Sequence, residues 1–350
     1  MPRPDLSGGL DPSCEFGVRE HPQLDLLRDS VSLWLFDDRG RFGLPRVTLE
    51  AAGPGWDPKL LQVNVAFPDG RVLDGSGRGA AKPAEDERGR LSIFAGGGLE
   101  FRCIEPFASW VVSFDGPVVD THAWAQIART VDRAVTTRVQ FEVELTLAAP
   151  PWIQGEMLVS RQGEARLQGS DAIFIGGRRS TAGGVRYEQL VRAAGSLRVG
   201  DQSWTFTGSG LRVRRCGQRG LQGFTGHVWQ SALFPSGRGF GSMWLLPNDY
   251  KEGFLFDRGR MIPARSVETS WMTGMRVSGE DVSFVMESEL GRTRIEAETV
   301  YSCFFPKGEA MPTEGRLPLH WQQAGVRYRW DGEESYGMME RSFQPEEVDA

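Results

Sequence analysis

Phe234-Pro-Ser-Gly-Arg-Gly-Phe240 decides the fold class, because the same form recurs three more times along the chain. Phe36-Asp-Asp-Arg-Gly-Arg-Phe-Gly43, Phe67-Pro-Asp-Gly-Arg-Val72 and Phe256-Asp-Arg-Gly-Arg-Met261 each set an aromatic residue before a short polar segment holding a glycine. Proline or aspartate opens the turn and glycine accepts a positive φ, so each segment reads as a hairpin loop. The flanking runs Ser32–Phe36, Leu61–Phe67, Val139–Leu147 and Val282–Leu290 are short, aromatic and β-branched, and they mostly alternate apolar with polar residues. That is the period of half-buried strands, so the chain is expected to be mainly β.

One stretch breaks the pattern. In Ala123–Ala134, residues Trp124, Ile127, Ala128 and Val131 fall at helical spacing, and Thr121 precedes them as a cap. The expectation is a single helix laid across a barrel mouth or a sheet. The polar loop 75–90 and the glycine-rich run 176–184 show no periodicity. The second divides the chain almost in half, which predicts two β domains, 1–180 and 181–350, each an antiparallel barrel with its own hairpins. Residues 345–350 read as a solvated tail.

Composition narrows the function. Glycine supplies 44 of 350 residues, well above the usual ~7%, and there are 11 tryptophans against 5 tyrosines. A net charge of −6 argues against nucleic acid, whose binders carry a basic face. The four cysteines, Cys14, Cys103, Cys216 and Cys303, are far apart and form no CxxC pair, which argues against a zinc ribbon and predicts four free thiols. The first residues lack an apolar segment of signal-peptide type and no run of 18 apolar residues occurs, so a cytoplasmic chain without a transmembrane segment is expected. A homodimer is compatible with the sequence.

Familiar catalytic signatures are missing: there is no GxSxG elbow, Walker A loop or HExxH. The GxG within Gly75-Ser-Gly-Arg-Gly79 lies in a polar loop without βαβ context, which argues against a nucleotide. No two of His21, His122, His227 and His320 are spaced as metal ligands, so neither metal nor cofactor is expected. The basic run Arg212–Arg219 is the densest charged segment. On a strand, Arg212, Arg214 and Cys216 would share one face, with Val213 and Arg215 on the other. Buried arginines need partners, and Glu188, Asp249, Asp257 and Glu340 are candidates. Structural pairing across strands and a polar floor under an apolar ligand are both open. The tryptophans are mostly core, and some would line an apolar cavity, where their rings stabilise positive charge.

Three segments of the second half, Tyr187–Gly200, Gly208–Arg219 and Tyr328–Arg341, resemble the tandem lipocalin-like proteins related to carotenoid 1,2-hydratase (hydroxyneurosporene synthase) and the AttH-like proteins. The resemblance implies two antiparallel lipocalin-like barrels in tandem. It also implies metal-free chemistry on bulky hydrophobic molecules, as in hydratases, cyclases or pericyclases. In those relatives the second segment reads approximately Arg-Asp-x-Ser-Trp-Gly-x-Arg. Arg212, Gly217 and Arg219 match, but Val213 stands for the acid, Arg215 for the serine and Cys216 for the tryptophan. The closing Tyr336-Gly-Met-Met-Glu340 fits, which makes Glu340 the best-placed carboxylate.

The expected function is therefore cofactor-independent hydration, dehydration, isomerisation or cyclisation of an isoprenoid-like or polycyclic substrate in a β-barrel cavity. Glu340 would act as acid or base, with Arg212, Arg219 and His227 beside it. Trp229, Trp244, Trp110, Tyr336, Met338 and Asp249 would line the substrate site. The alternative is a non-catalytic carrier of an apolar ligand, favoured by the acid missing at 213.

Overall fold

The computed structural model describes residues 4–20, 27–57, 60–77, 79–157, 185–218, 225–246, 249–269, 271–305 and 320–344. All four recurrent turns form as expected: Gly40, Gly70, Gly237 and Gly259 sit at φ of 66°, 87°, 91° and 76°, where a side chain is disfavoured. They join β1 (Leu27–Asp37) to β2 (Gly43–Ala52), β3 (Leu60–Ala66) to β4 (Arg71–Ser76), β12 (Gly226–Leu233) to β13 (Gly239–Leu246) and β14 (Tyr250–Asp257) to β15 (Arg260–Thr269). The remaining strands are β5 (Ile93–Gly96), β6 (Leu99–Glu105), β7 (Ser109–His122), β8 (Thr136–Leu147), β9 (Trp152–Ile153), β10 (Val185–Val199), β11 (Gln202–Gln218), β16 (Phe284–Ser288), β17 (Gly291–Phe305), β18 (His320–Trp330) and β19 (Glu333–Phe343).

These strands close into two antiparallel eight-stranded barrels. In the first, the order β4-β3-β2-β1-β11-β10-β8-β7 is closed by β4 pairing β7, and β5 and β6 extend from β7. The second runs from β12 to β19 in chain order and closes with β12 on β19. The division expected at residue 180 is not where the sheets part. β10 and β11 complete the first barrel, so the chain passes to the second between Gln218 and Gly226. The glycine-rich run 176–184 lies outside the described residues, as do the tail 345–350 and His21.

Alternation puts one face of each strand into its own barrel. Val31, Leu33, Val47, Val63, Phe101 and Val143 fill the first, and Phe240, Leu255, Ile262, Phe284, Val326 and Tyr328 fill the second. A third core lies between the barrels, where outward-facing Trp34, Leu211 and Val213 meet Trp229, Met243, Tyr301, Trp321 and Met338. A face that a lone barrel would give to water is here buried against its neighbour.

The helix is shorter than its sequence pattern. α1 (Ala123–Ala128) is capped by the His122 side chain, which accepts from Trp124 N, and not by Thr121. Its buried face is also different from the one expected. Trp124 is 57% exposed, whereas Gln126 is buried and accepts from Phe304 N on β17 at 2.9 Å. Arg129 ends the helix in a left-handed conformation, so Val131 never joins the stripe. Among the described residues no helix is long and apolar enough to cross a membrane.

Where β11 crosses β1, glycine is obligatory. A Cβ on Gly210 would stand 1.9 Å from Trp34 O and 3.0 Å from Leu35 Cα. Gly210→Ala should therefore force the two strands apart and cost about 1–3 kcal/mol of stability, measurable by denaturant unfolding. All four cysteines are unpaired, and burial is the main influence raising each thiol pKa. Thiol counting should give four in denaturant, and only slow modification in the native protein.

Candidate functional site

The expected residues do not all meet. Arg212 is fully buried and faces the interior of the first barrel, together with Arg214. Its partner is none of the four acids considered from sequence. A 3-10 turn at Pro12–Glu15, capped by Asp11, carries Glu15 to its guanidinium at 2.7 Å. Glu15 also accepts from Trp110 Nε1 at 2.8 Å and from the Tyr187 hydroxyl, while Arg214 pairs with Asp29 at 2.5 Å. Trp110 thus lies under Arg212, 4.7 Å from its guanidinium to the ring centre, inside the first barrel. These are structural pairs that neutralise charge where no water reaches.

Other expected site residues are also scattered. Trp244 donates to Asp249 and lies under Lys251 near the surface, and the Asp249 side chain is 59% exposed. Tyr336 packs over Gly40, and Met338 belongs to the core between the barrels. Arg219 lies outside the described residues.

Three of the residues do come together. Glu340, His227 and Trp229 line a cavity of about 30 Å³ that lies between the barrels and not inside either one. Its remaining wall comes from Ser30, Ser32, Trp34, Arg46 and Glu50 of β1 and β2, from Arg186, Val213 and Arg215 of β10 and β11, and from Met243, Leu245 and Trp321. The register explains the gathering. Trp229 pairs Glu340 and Met243, His227 pairs Ser342 and Leu245, and Gln323 pairs Glu340, so all project from one face of the second barrel.

Glu340 is fixed by three donors or cations. Arg46 of the first barrel reaches it at 3.1 Å, Gln323 Nε2 at 2.9 Å and His227 Nε2 at 3.5 Å. The other ring nitrogen of His227 shares a hydrogen bond with Ser342 Oγ at 2.7 Å. Burial pushes the Glu340 carboxyl up, but Arg46, His227 and Gln323 more than reverse this and bring it down to about 2. Its neighbours thus favour Glu340 as an anion near neutral pH, which of the acid-or-base role expected from the sequence disfavours the acid.

A second carboxylate behaves in the opposite way. Glu188 stands directly opposite Val213 across the β10–β11 pair, on the same face. It is buried, accepts from Trp229 Nε1 at 3.0 Å and pairs with Arg186 at 2.6 Å. Burial raises its pKa to about 7; Arg186 and Trp229 offset this in part, and the nearby carboxylate Glu252 adds to it. Glu252 is itself raised by burial, although Tyr250 and the backbone N–H groups of Gly155 and Met157 donate to it. Glu188 lies one side chain behind the cavity wall formed by Val213, Arg186 and Trp229.

Sequence reasoning missed Arg46, Trp34 and Arg186 altogether, took Trp321 only as one of the core or cavity tryptophans, and took Glu188 only as a partner for an arginine. A signal did exist in Arg186-x-Glu188 and Val213-x-Arg215, two alternating strands with charge on the same face. Nothing in the chain near Arg46, 294 positions from Glu340, points to its partner.

A tandem of eight-stranded antiparallel barrels, with a buried ionisable cavity between them, is the class that fold and site define. Within that class, the model of a domain of unknown function (DUF7064) matches residues 18–345, so the chain belongs to that family. Among solved structures it is similar to an AttH-like protein of Nitrosomonas europaea, at 14% identity over 92% of this chain and 93% of that one, with a TM-score of 0.54. It is also similar to CghA, solved with Sch210972, at 11% identity over 90% and 89%, with a TM-score of 0.52. No curated protein matches the sequence. The structural likeness establishes the tandem-barrel fold that the sequence segments had implied.

Removing one side of the Arg46–Glu340 pair leaves a buried charge alone. Glu340→Met should cost about 3–5 kcal/mol, whereas the double variant Arg46→Met with Glu340→Met should recover much of that loss. Denaturant unfolding of the two single variants and the double variant gives the coupling directly.

Proposed function

We propose that the chain is a cofactor-independent acid/base enzyme that hydrates, dehydrates, isomerises or cyclises a hydrophobic small molecule held between its two barrels. The observation carrying this reading is a carboxylate on the cavity wall and a second one side chain behind it, with pKa values driven apart, Glu340 down to about 2 and Glu188 up to about 7. Environments that separate two carboxyl groups in this way assign one as a fixed anion and the other as the group that exchanges a proton near neutral pH. Glu188 would deliver or remove the proton, and Glu340 would hold His227 and any developing positive charge. The indoles of Trp229 and Trp34, in edge contact at 4.9 Å, line the same cavity.

The cavity volume favours hydration or dehydration among these reactions. About 30 Å³ takes one or two water molecules, and polar side chains surround the space. A carbon skeleton would enter by displacing Met243 and Leu245, and methionine is the side chain that repacks most readily. The likeness to CghA, solved with Sch210972, supports a small-molecule ligand for this fold.

The test uses hydrophobic metabolites extracted from the organism that makes the protein, incubated in H2-18O with the wild-type chain and with Glu188→Gln. Mass spectrometry should reveal a product carrying 18O, or one lighter by a water, only with the wild-type protein, and Glu188→Gln should lower its rate by ~10²–10⁴-fold. A ligand that binds both proteins and leaves unchanged would instead make the chain a carrier.

Stability should report the same carboxyl. Glu188 binds a proton more tightly folded, near 7, than unfolded, near 4.5, so the folded state loses stability as pH rises through this window. At ~1.4 kcal/mol per pH unit the span from 4.5 to about 7 amounts to roughly 3.5 kcal/mol, fully expressed above pH 7. Glu188→Gln should flatten most of that slope between pH 5 and 8, with Glu252 supplying what remains of it.

A further inference from the structure

Resting on that reading, we infer that the molecule taken up between the barrels carries an oxyanion, a carboxylate, enolate or phenolate, which seats against Arg46 and Arg186. Three guanidiniums, of Arg46, Arg186 and Arg215, line the cavity, against two carboxylates, of Glu50 and Glu340. Glu50 is shared, lying 3.0 Å from Arg28 and 3.9 Å from Arg215. Arg186 faces Glu188, whose carboxyl burial raises toward neutral. Among the described residues the cavity wall therefore carries more guanidiniums than carboxylates.

The donors point the same way. Arg46 is 7% exposed and Arg186 is 2% exposed, and the Nε of each has no acceptor among the described protein atoms. A buried guanidinium N–H without an acceptor is costly, and an oxyanion is the acceptor whose geometry a guanidinium fits best. Both arginines are also held in place. Arg46 lies over the Trp34 ring, 5.3 Å from its centre, and Arg186 over that of Trp229 at 5.6 Å. The two indoles meet edge to face, Trp34 from the first barrel and Trp229 from the second, and each carries over its ring one of these guanidiniums, both of which come from the first barrel. Stacking occupies those ring faces and leaves Met243, Leu245 and Trp321 as the apolar wall for the rest of the molecule. The occupant is an amphiphile, with its charged oxygen at the arginines and its carbon skeleton against these three residues.

The experiment compares 2-naphthoate with its uncharged methyl ester, by quenching of tryptophan fluorescence in the full-length protein. The naphthoate should bind on the order of ten-fold more tightly than the ester, which is the value of one charge-assisted hydrogen bond. Arg186→Lys keeps the charge beside Glu188 but removes the Nε–H, and it should bring the two ligands to within about two-fold of each other. If Arg186→Lys does not fold, as judged by circular dichroism, Arg46→Lys makes the same comparison. Equal or tighter binding of the ester to the wild-type protein overturns the oxyanion seat and leaves the apolar site standing. Undiminished discrimination in the lysine variant overturns it too. Failure of both ligands to bind at millimolar concentration removes the binding site itself, and with it both proposals.

Discussion

Two closed barrels lie face to face, and the face between them is not purely apolar: it contains the Arg46–Glu340 ion pair. Each partner is contributed by a different barrel and is almost wholly out of water, so neither charge is tolerable without the other. The pair therefore fixes how the barrels meet, as an apolar contact alone would not, because apolar surfaces slide at little cost. Gln323 extends the same constraint. It donates to Glu340 and accepts from Asn64 of the first barrel at 3.2 Å, which makes a second polar tie across the interface.

The interior of the first barrel obeys the same rule with different partners. Arg212 and Arg214 are neutralised by Glu15 and Asp29, and Glu15 arrives on a short turn from the N-terminal segment. The alternation of β11 thus sorts one basic run into two environments. Its even residues are locked into structural pairs within the barrel, while Val213 and Arg215 face the cavity. The relatives' motif places an acid at 213, and here Glu188 stands directly across from that position on β10.

Local signals were sufficient wherever a residue's own backbone decided the outcome. The four glycine turns, the alternating strands that flank them and the odd helix near 123 were legible because φ preference and side-chain period act over a few residues. The same holds for the strand faces of Arg212 and Val213. His227, Trp229 and Glu340 were found on strands whose neighbours in space are also neighbours in the sheet.

The rest was set by contacts that leave no local mark. Barrel closure depends on β1 pairing β11, some 180 residues away, so a glycine-rich run at 176–184 looked like a boundary although two strands of the first barrel still follow it. The buried face of α1 was decided by Gln126 finding Phe304, not by the periodicity of Trp124. The sequence determined which side chains each strand presents to which face. Only the tertiary structure decided that Arg46 lies against Glu340 and Glu188 against Trp229, and hence that one carboxyl is pushed down while the other is raised toward neutral. A pKa depends on burial and on the nearest charge, and both are properties of what the fold brings together.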